Sequence, residues 1–283
     1  MGCGLMGSGI AEVCARAGYT TRVREINEDL LKRGRARIER SLSTAVERRK
    51  LEASERDAAL SRLQGTTSLS DFADCDIVIE AATENPQIKR QTFEQLDQVC
   101  PPHAILASNT SSIPIVQMAT ATRRPEQVLG MHFMNPVPVM PLIEYVQAIT
   151  TSESTLETAR AFGESLGKRI IVSKDRAGFI VNFLLIPYLC ESVRMFEQGF
   201  ASKEDIDVGM MLGTSYPMGP FTLLDYVGLD TTLYIADILF DEFKDPRFAA
   251  PTLLRQMVTA GYLGRKTGRG FYNYEAGEQP PSR

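Results

Sequence analysis

No C-x-x-C pair occurs among the five cysteines, Cys3, Cys14, Cys75, Cys100 and Cys190, which are odd in number and widely spaced. Neither a disulfide framework nor a zinc site is indicated, and a reducing, cytoplasmic setting is expected. No apolar run has membrane length: the longest, AGFIVNFLLIPYL from Ala177, is broken by Asn182 and Pro187. No membrane helix is therefore expected. The N-terminus lacks a basic stretch, and Met6 stands where a myristoylation pattern requires Ser or Thr, so no targeting signal is read. Basic charge is not in excess, with 31 Lys and Arg against 35 Asp and Glu, which argues against bulk nucleic-acid binding. Histidine is scarce, at two residues, so a histidine-based mechanism has few candidates. What is present, 283 residues with 43% hydrophobic and 23% charged content, suits one or two domains with a sizeable core.

Up to about Ser173, strand-like and helix-like segments alternate. Short apolar runs such as CDIVIEAA, AILAS, VLGMHF, LIEYVQ and RIIVS read as strands. Between them lie helical patterns from Gly7, from Asn27 to about Lys50, from Ser54 to about Leu63, from Pro86 to about Val99 and from Ser154. The alternation predicts an α/β fold with a Rossmann-type doubly wound parallel sheet. After Ala177 the pattern becomes helical, with one long helix in GFIVNFLLIPYLCESVRMFEQG and others around Lys203–Leu212, Leu229–Phe243 and Pro251–Ala260. No strand is expected there before the tail GFYNY. The boundary is placed at 175/176, giving an α/β domain over 1–175 and an all-α domain over 176–283.

Gly2, Gly4 and Gly7 carry the G-x-G-x-x-G spacing that lets a backbone turn approach a pyrophosphate at a helix N-terminus. Alone it is weak, and a plain turn is the competing reading. The context strengthens it: an apolar helix, Gly18 and a strand follow, and Glu25 stands 18 positions after Gly7, near the roughly 20 expected for the acid that binds a ribose. A carboxylate there favours NAD over NADP, although Arg22 and Arg24 flank it. Only Met1 precedes the fingerprint, where a buried strand would be central to the sheet. The expectation is an open gap beside the glycine loop, and a true start upstream of Met1.

His103 lies in the turn CPPHAIL and reads as an exposed loop residue. His132 ends VLGMHF, and Glu144 lies in the next strand. A carboxylate in so apolar a strand needs a partner, and an imidazole oriented by it can serve as a general base. A purely structural pair fits the same residues.

SNTSS at 108–112, MHFMNPVPVMPLIE at 131–144, DRAGFIVNFLLIPYL at 175–189, YPMGPFTLLDYVGLD at 216–230 and GRKTGRGFY at 264–272 together resemble the signature blocks of the L-3-hydroxyacyl-CoA dehydrogenases. The blocks cover nearly the whole chain in order. The resemblance implies NAD as cofactor, an acyl-CoA substrate of short chain, no metal, and a homodimer formed through the helical domain. It makes His132 the catalytic base, Glu144 its orienting partner, and Ser111 and Asn182 the groups that hold the substrate. Ser111 as a helix cap and Asn182 as a partner for nearby backbone are the bland alternatives. It also places Glu84 and Lys89 near the nicotinamide-side ribose, where a helix-terminal acid and a solvated lysine compete as readings. A hydroxy-acid dehydrogenase without CoA, of the L-gulonate type, and a non-catalytic NAD-binding protein remain the alternatives.

Between Leu31 and Lys50 eight Lys or Arg face two Glu. A solvated helix face explains this, and so does a site for the phosphates of coenzyme A; the resemblance puts CoA contacts on Ser41 and Arg48. Phe183 stands where the family usually carries arginine.

Overall fold

The computed structural model describes residues 1–282. Contacts divide the chain into two units, Met1–Arg176 and Ala177–Arg283.

In the first unit, seven strands and six helices form an α/β layer structure. The strands are β1 (Thr21–Arg24), β2 (Leu63–Thr66), β3 (Ile77–Glu80), β4 (Ile105–Ser108), β5 (Val128–Phe133), β6 (Leu142–Gln147) and β7 (Arg169–Lys174). The helices are α1 (Leu5–Arg16), α2 (Glu28–Glu47), α3 (Ala53–Ser61), α4 (Pro86–Val99), α5 (Ile115–Ala119) and α6 (Glu153–Ser165). Their starts follow local chemistry. The side chains of Asn27, Asn85 and Ser152 accept the amide hydrogens of Leu30, Ile88 and Thr155, satisfying donors that a helix leaves orphaned. Apolar residues of α1, Ile10, Val13 and Cys14, pack with Leu129, Met131 and Ile143 of the sheet; each fully buried side chain of this size contributes roughly 1.5–3 kcal/mol.

The strands fall into two sheets. β1 pairs with β2, and β3 to β7 form a second sheet in sequence order. β1 with β2 and β3 with β4 and β5 are parallel, as expected. β6 runs antiparallel to β5 and β7 parallel to β6, so the sheet is mixed. The connection from Phe133 to Leu142 is too short for the crossover that a parallel pair requires. β2 was not expected, because LQGT carries no apolar run; its pairing to β1 supplies what its composition does not.

The gap expected beside the glycine loop is present. Alternate residues of a parallel strand bond to opposite sides. Thr21 and Glu25 bond to β2 through their amides, and Asp76 and Glu80 accept from Ile105 and Asn109 on the β4 side. Arg22 and Arg24 of β1, and Ile77 and Ile79 of β3, therefore turn their backbone toward a groove of about 560 Å³ between the two sheets. Met1 and Gly2 cross it at one end only: the Met1 amino group donates to Ile79 O, Gly2 N to Arg24 O and Ala81 N to Met1 O. Among the described residues no strand fills the rest.

The second unit holds α7 (Val181–Glu197), α8 (Lys203–Gly213), α9 (Pro220–Val227), α10 (Leu229–Phe243) and α11 (Thr252–Thr259). α7 begins at Val181, four residues after the apolar run starts at Ala177, since Gly178 and Phe179 adopt positive φ (79° and 50°), which interrupts a right-handed helix. α9 was not expected, because its opening YPMGP reads as a loop; Pro220 occupies the first helical turn, where its missing N–H costs nothing. Buried Asp207 accepts from the amides of Phe221 and Thr222 and fixes that start. GFYNY is not a strand but a turn with isolated bridges at Arg269, pinned where Asp225 accepts from the amides of Phe271 and Tyr272.

Candidate active site

The glycine loop is tightly packed at two of its three glycines. A Cβ on Gly2, whose φ is +84°, would stand 2.7 Å from Ala81 O, and one on Gly7 only 2.0 Å from Gly2 O. A Cβ on Gly4 would meet nothing within 4 Å, which leaves its backbone open to a ligand at the N-terminus of α1. That helix has no side-chain cap and no acid in its first turn, so its orphan donors suit a pyrophosphate. Glu25, half-buried at the end of β1, accepts from the amides of Cys3 and Ile26, and its carboxylate thereby borders the glycine loop. These residues fit an adenine dinucleotide with an unphosphorylated ribose.

Arg37, one of the cations of α2, reaches the same loop and donates to Cys3 O at 2.9 Å. A Cβ on Gly34 would overlap Cys3 Sγ at 2.3 Å, so α2 needs that glycine to lie against the loop. Sequence reasoning treated the basic run as one face and missed this division of labour. Ser41 is half-buried and hydrogen-bonded to Glu12 of α1, and this bond opposes the rise that burial imposes on the Glu12 carboxyl. Arg48 is exposed just beyond the last turn of α2.

At the carboxyl ends of β3 and β4 a buried polar network forms. Glu80 accepts from Lys89 Nζ at 2.6 Å and from Ser108 Oγ at 2.8 Å through one oxygen, and from the Ala82 amide through the other. Lys89 is 2% exposed, so it is no solvated lysine, and its ammonium also lies 3.6 Å from Glu84. Glu84 accepts from Thr110 Oγ1 and from the Ser111 amide. The carboxylate thus holds the SNTSS loop rather than merely ending a helix. Glu80 was missed, although a carboxylate closing the apolar run CDIVIE was its signal.

His132 and Glu144 face each other in register across the antiparallel pair β5 and β6. Nδ1 lies 3.1 Å from Glu144 Oε2, with the histidine 8% exposed and the glutamate fully buried. An imidazole so held can accept a proton at Nε2 while the carboxylate balances the charge. Asn109, also missed, accepts from the Phe133 amide at 2.9 Å and ties the SNTSS loop to the residue after His132. His103 is exposed and 3.0 Å from Asp76, as a loop residue.

In the second unit, Asn182 lies in the first turn of α7 and is 8% exposed. The ring of Phe183 packs with Phe243 and Phe248, and the Arg247 guanidinium stands 4.8 Å above it. Among the described residues no cluster of metal-ligating side chains occurs, and no helix is long and apolar enough to cross a membrane.

Residues 1–176 match the model of the 3-hydroxyacyl-CoA dehydrogenase NAD binding domain, and residues 178–274 that of the 3-hydroxyacyl-CoA dehydrogenase C-terminal domain. A 3-hydroxybutyryl-CoA dehydrogenase of Mycobacterium tuberculosis is 51% identical, over 97% of this chain and 96% of its own length. The crystal structure of M. tuberculosis FadB2 superposes with a TM-score of 0.95 at 51% identity, over 96% of both chains. That of (S)-3-hydroxybutyryl-CoA dehydrogenase PaaH1 from Ralstonia eutropha gives 0.92 at 44%, also over 96% of both.

Proposed function

The chain belongs to the 3-hydroxyacyl-CoA dehydrogenases, NAD-dependent oxidoreductases, and from that premise we propose that it interconverts short-chain L-3-hydroxyacyl-CoA and 3-oxoacyl-CoA, 3-hydroxybutyryl-CoA above all, with His132 and Glu144 as the general acid-base pair. The observation that carries this reading is the in-register contact of the two side chains, 3.1 Å apart and withdrawn from water.

Held at the glycine loop, NAD would supply the hydride acceptor for C3. The chain supplies the rest. His132 Nε2 removes the C3 hydroxyl proton as that hydride departs, and Glu144 steadies the imidazolium; in the other direction the imidazolium returns the proton to the ketone oxygen. Ser111 and Asn182 hold the substrate oxygens so that C3 faces the cofactor. Gly2, Gly4, Gly7 and Glu25 seat the adenosine half, and Glu84 and Lys89 the nicotinamide-side ribose. Ser41 on α2 and Arg48 just beyond its last turn serve the CoA phosphates. The first unit binds the cofactor and the second dimerises, a role supported by the exposed Leu184, Leu212 and Tyr216. Five free thiols support a cytoplasmic location.

The test is NADH oxidation by acetoacetyl-CoA, with His132→Ala alongside. Turnover by the wild type and a loss of about 10²- to 10⁴-fold in kcat in the variant, with NADH still bound, is the expected result. A folded, NADH-binding wild type without turnover overturns the reading, as does a variant as fast as the parent.

A further inference from the structure

Lys168 is among the least exposed lysines of the chain, at 9%, and has no part in the reaction described above. It precedes β7, at the end of the turn that closes α6. Gly167, with φ +71°, makes that turn, and the Lys168 amide closes it on Gly163 O. The side chain then leaves its own element. Its ammonium donates to Val137 O at 2.7 Å and to Met140 O at 2.8 Å. Both carbonyls belong to the connection that follows Phe133 and leads into β6.

This connection joins the two strands that carry His132 and Glu144. It turns tightly at Pro136, whose carbonyl accepts from the amides of Val139 and Met140, and it ends where Pro141 O accepts from the Arg169 amide. From the opposite side, α1 presses on it: a Cβ on Gly9 would stand 2.8 Å from Val137 Cβ and 3.4 Å from Pro138 Cδ. The loop is thus held between the helix that begins at the glycine loop and a single buried ammonium. Two carbonyls that point inward need donors, and a cation bound to two of them is a stronger fastener than an amide would be. The electrostatic surroundings of the ammonium come from α1, whose Glu12 attracts it and whose Arg16 repels it, while Ser41 of α2 bonds to the Glu12 carboxyl.

We infer that Lys168 is a positioning residue for the reaction: by clamping the 137–140 loop it fixes the β5–β6 connection and with it the placement of His132 and Glu144 relative to the cofactor helix. It touches neither substrate nor cofactor. Its effect falls on the chemical step, because the distance between an acid-base group and the reacting atom is what a slackened connection changes. The inference rests on the His132–Glu144 reading.

The experiment compares Lys168→Met, Lys168→Gln, Lys168→Arg and His132→Ala in the acetoacetyl-CoA assay, with folding checked by circular dichroism and NADH affinity by fluorescence titration. Lys168→Met keeps the length and apolar stem while removing the charge and all donors. It should lower kcat about 10²-fold, the scale of a misplacement near 1 Å, with KM for NADH changed less than about threefold. Lys168→Arg, which restores a cation with several donors, should recover at least about tenfold of that loss. Should Lys168→Met fail to fold, the same comparison is made with Lys168→Gln. A folded Lys168→Met or Lys168→Gln with wild-type kcat overturns the inference, and so does a loss that appears only in KM for NADH or one that a folded Lys168→Arg leaves untouched. An active His132→Ala would instead strike the acid-base reading itself, so the two failures are distinct.

Discussion

Lys89 Nζ lies 2.6 Å from Glu80 Oε2 with the two side chains only 2% and 1% exposed. Burying two charges is costly, and the pair is tolerable because Ser108 and the Ala82 amide occupy further positions on the carboxylate. Removing Glu80 takes from the buried Lys89 ammonium its near partner and leaves it the more distant Glu84 carboxylate, 3.6 Å away. Glu80→Ala should therefore cost about 3–5 kcal/mol in urea unfolding, well beyond an exposed ion pair such as Arg90 with Glu94, where about 0.3–0.5 kcal/mol is expected. A loss below about 1 kcal/mol would show that Lys89 finds other partners or deprotonates.

In the proposed acid-base pair, Glu144 is the fully buried partner behind His132, with no direct contact to substrate assigned to it. Glu144→Gln keeps size and a hydrogen-bonding oxygen but removes the charge that balances an imidazolium. A fall in kcat of about 10²-fold or more, with substrate KM nearly unchanged, is expected. An unchanged kcat would leave His132 and Glu144 as a structural pair.

Glu25 stands beside the glycine loop, bonded to the amides of Cys3 and Ile26. A carboxylate there accepts from ribose hydroxyls and repels a 2′-phosphate. Glu25→Gln should lower the preference for NADH over NADPH by about tenfold or more, equivalent to about 1.4 kcal/mol. Arg24, whose Nε donates to Thr67 O, lies on the same strand, whereas the Arg22 guanidinium is already held by Asp74 and Gln64. Preference ratios from kcat/KM decide the matter, and an unaltered ratio would place the ribose elsewhere.

Burial pushes the thiols of Cys100 and Cys190 up to about 11, against about 9 for the same groups when exposed. Between those values the unfolded chain has lost protons that the folded chain retains, so stability falls as pH rises from about 9 toward 11, at up to about 1.4 kcal/mol per pH unit for each thiol. Below pH 9 these groups contribute no slope. Thiol labelling of the native protein at pH 8 should reach Cys75 first, the one cysteine that is half-buried rather than buried; initial labelling at Cys190 would contradict its enclosure.

Much of this architecture is legible from local pattern. VLGMHF is β5 residue for residue, Pro86–Val99 is α4, and Leu229–Phe243 is α10, because each is a periodic run bounded by its own cap or turn. LQGT and PFTLLDYV were illegible for opposite reasons: the first is a strand only through its partner β1, and the second hides a helix behind a proline-rich start. The site divides in the same way. Glycine spacing and the histidine at a strand end are local signals. By contrast, Arg37 on Cys3 O, Glu80 under Lys89 and Lys168 under the 137–140 loop span 34, 9 and 28–31 positions, and single residues of these types carry no mark of the group that they will meet.

The groove between β1 and β3 makes a sharp demand on backbone dynamics. The amides of Val23 and Val78 point to the paired sides of their strands, whereas those of Arg22, Arg24, Ile77 and Ile79 turn toward the groove, where no strand meets them among the described residues. Water must supply those partners. Native-state hydrogen exchange should consequently alternate along both strands, fast at 22, 24, 77 and 79 and slow at 23 and 78, with protection differing by at least about tenfold. Leu106 and Leu129, buried in the second sheet, should exchange only with opening of the unit as a whole. Uniform protection at all six positions would mean that the two edges are paired in solution, and uniform rapid exchange that β1 and β3 fray together; the alternating pattern alone matches an open groove flanked by two intact strands.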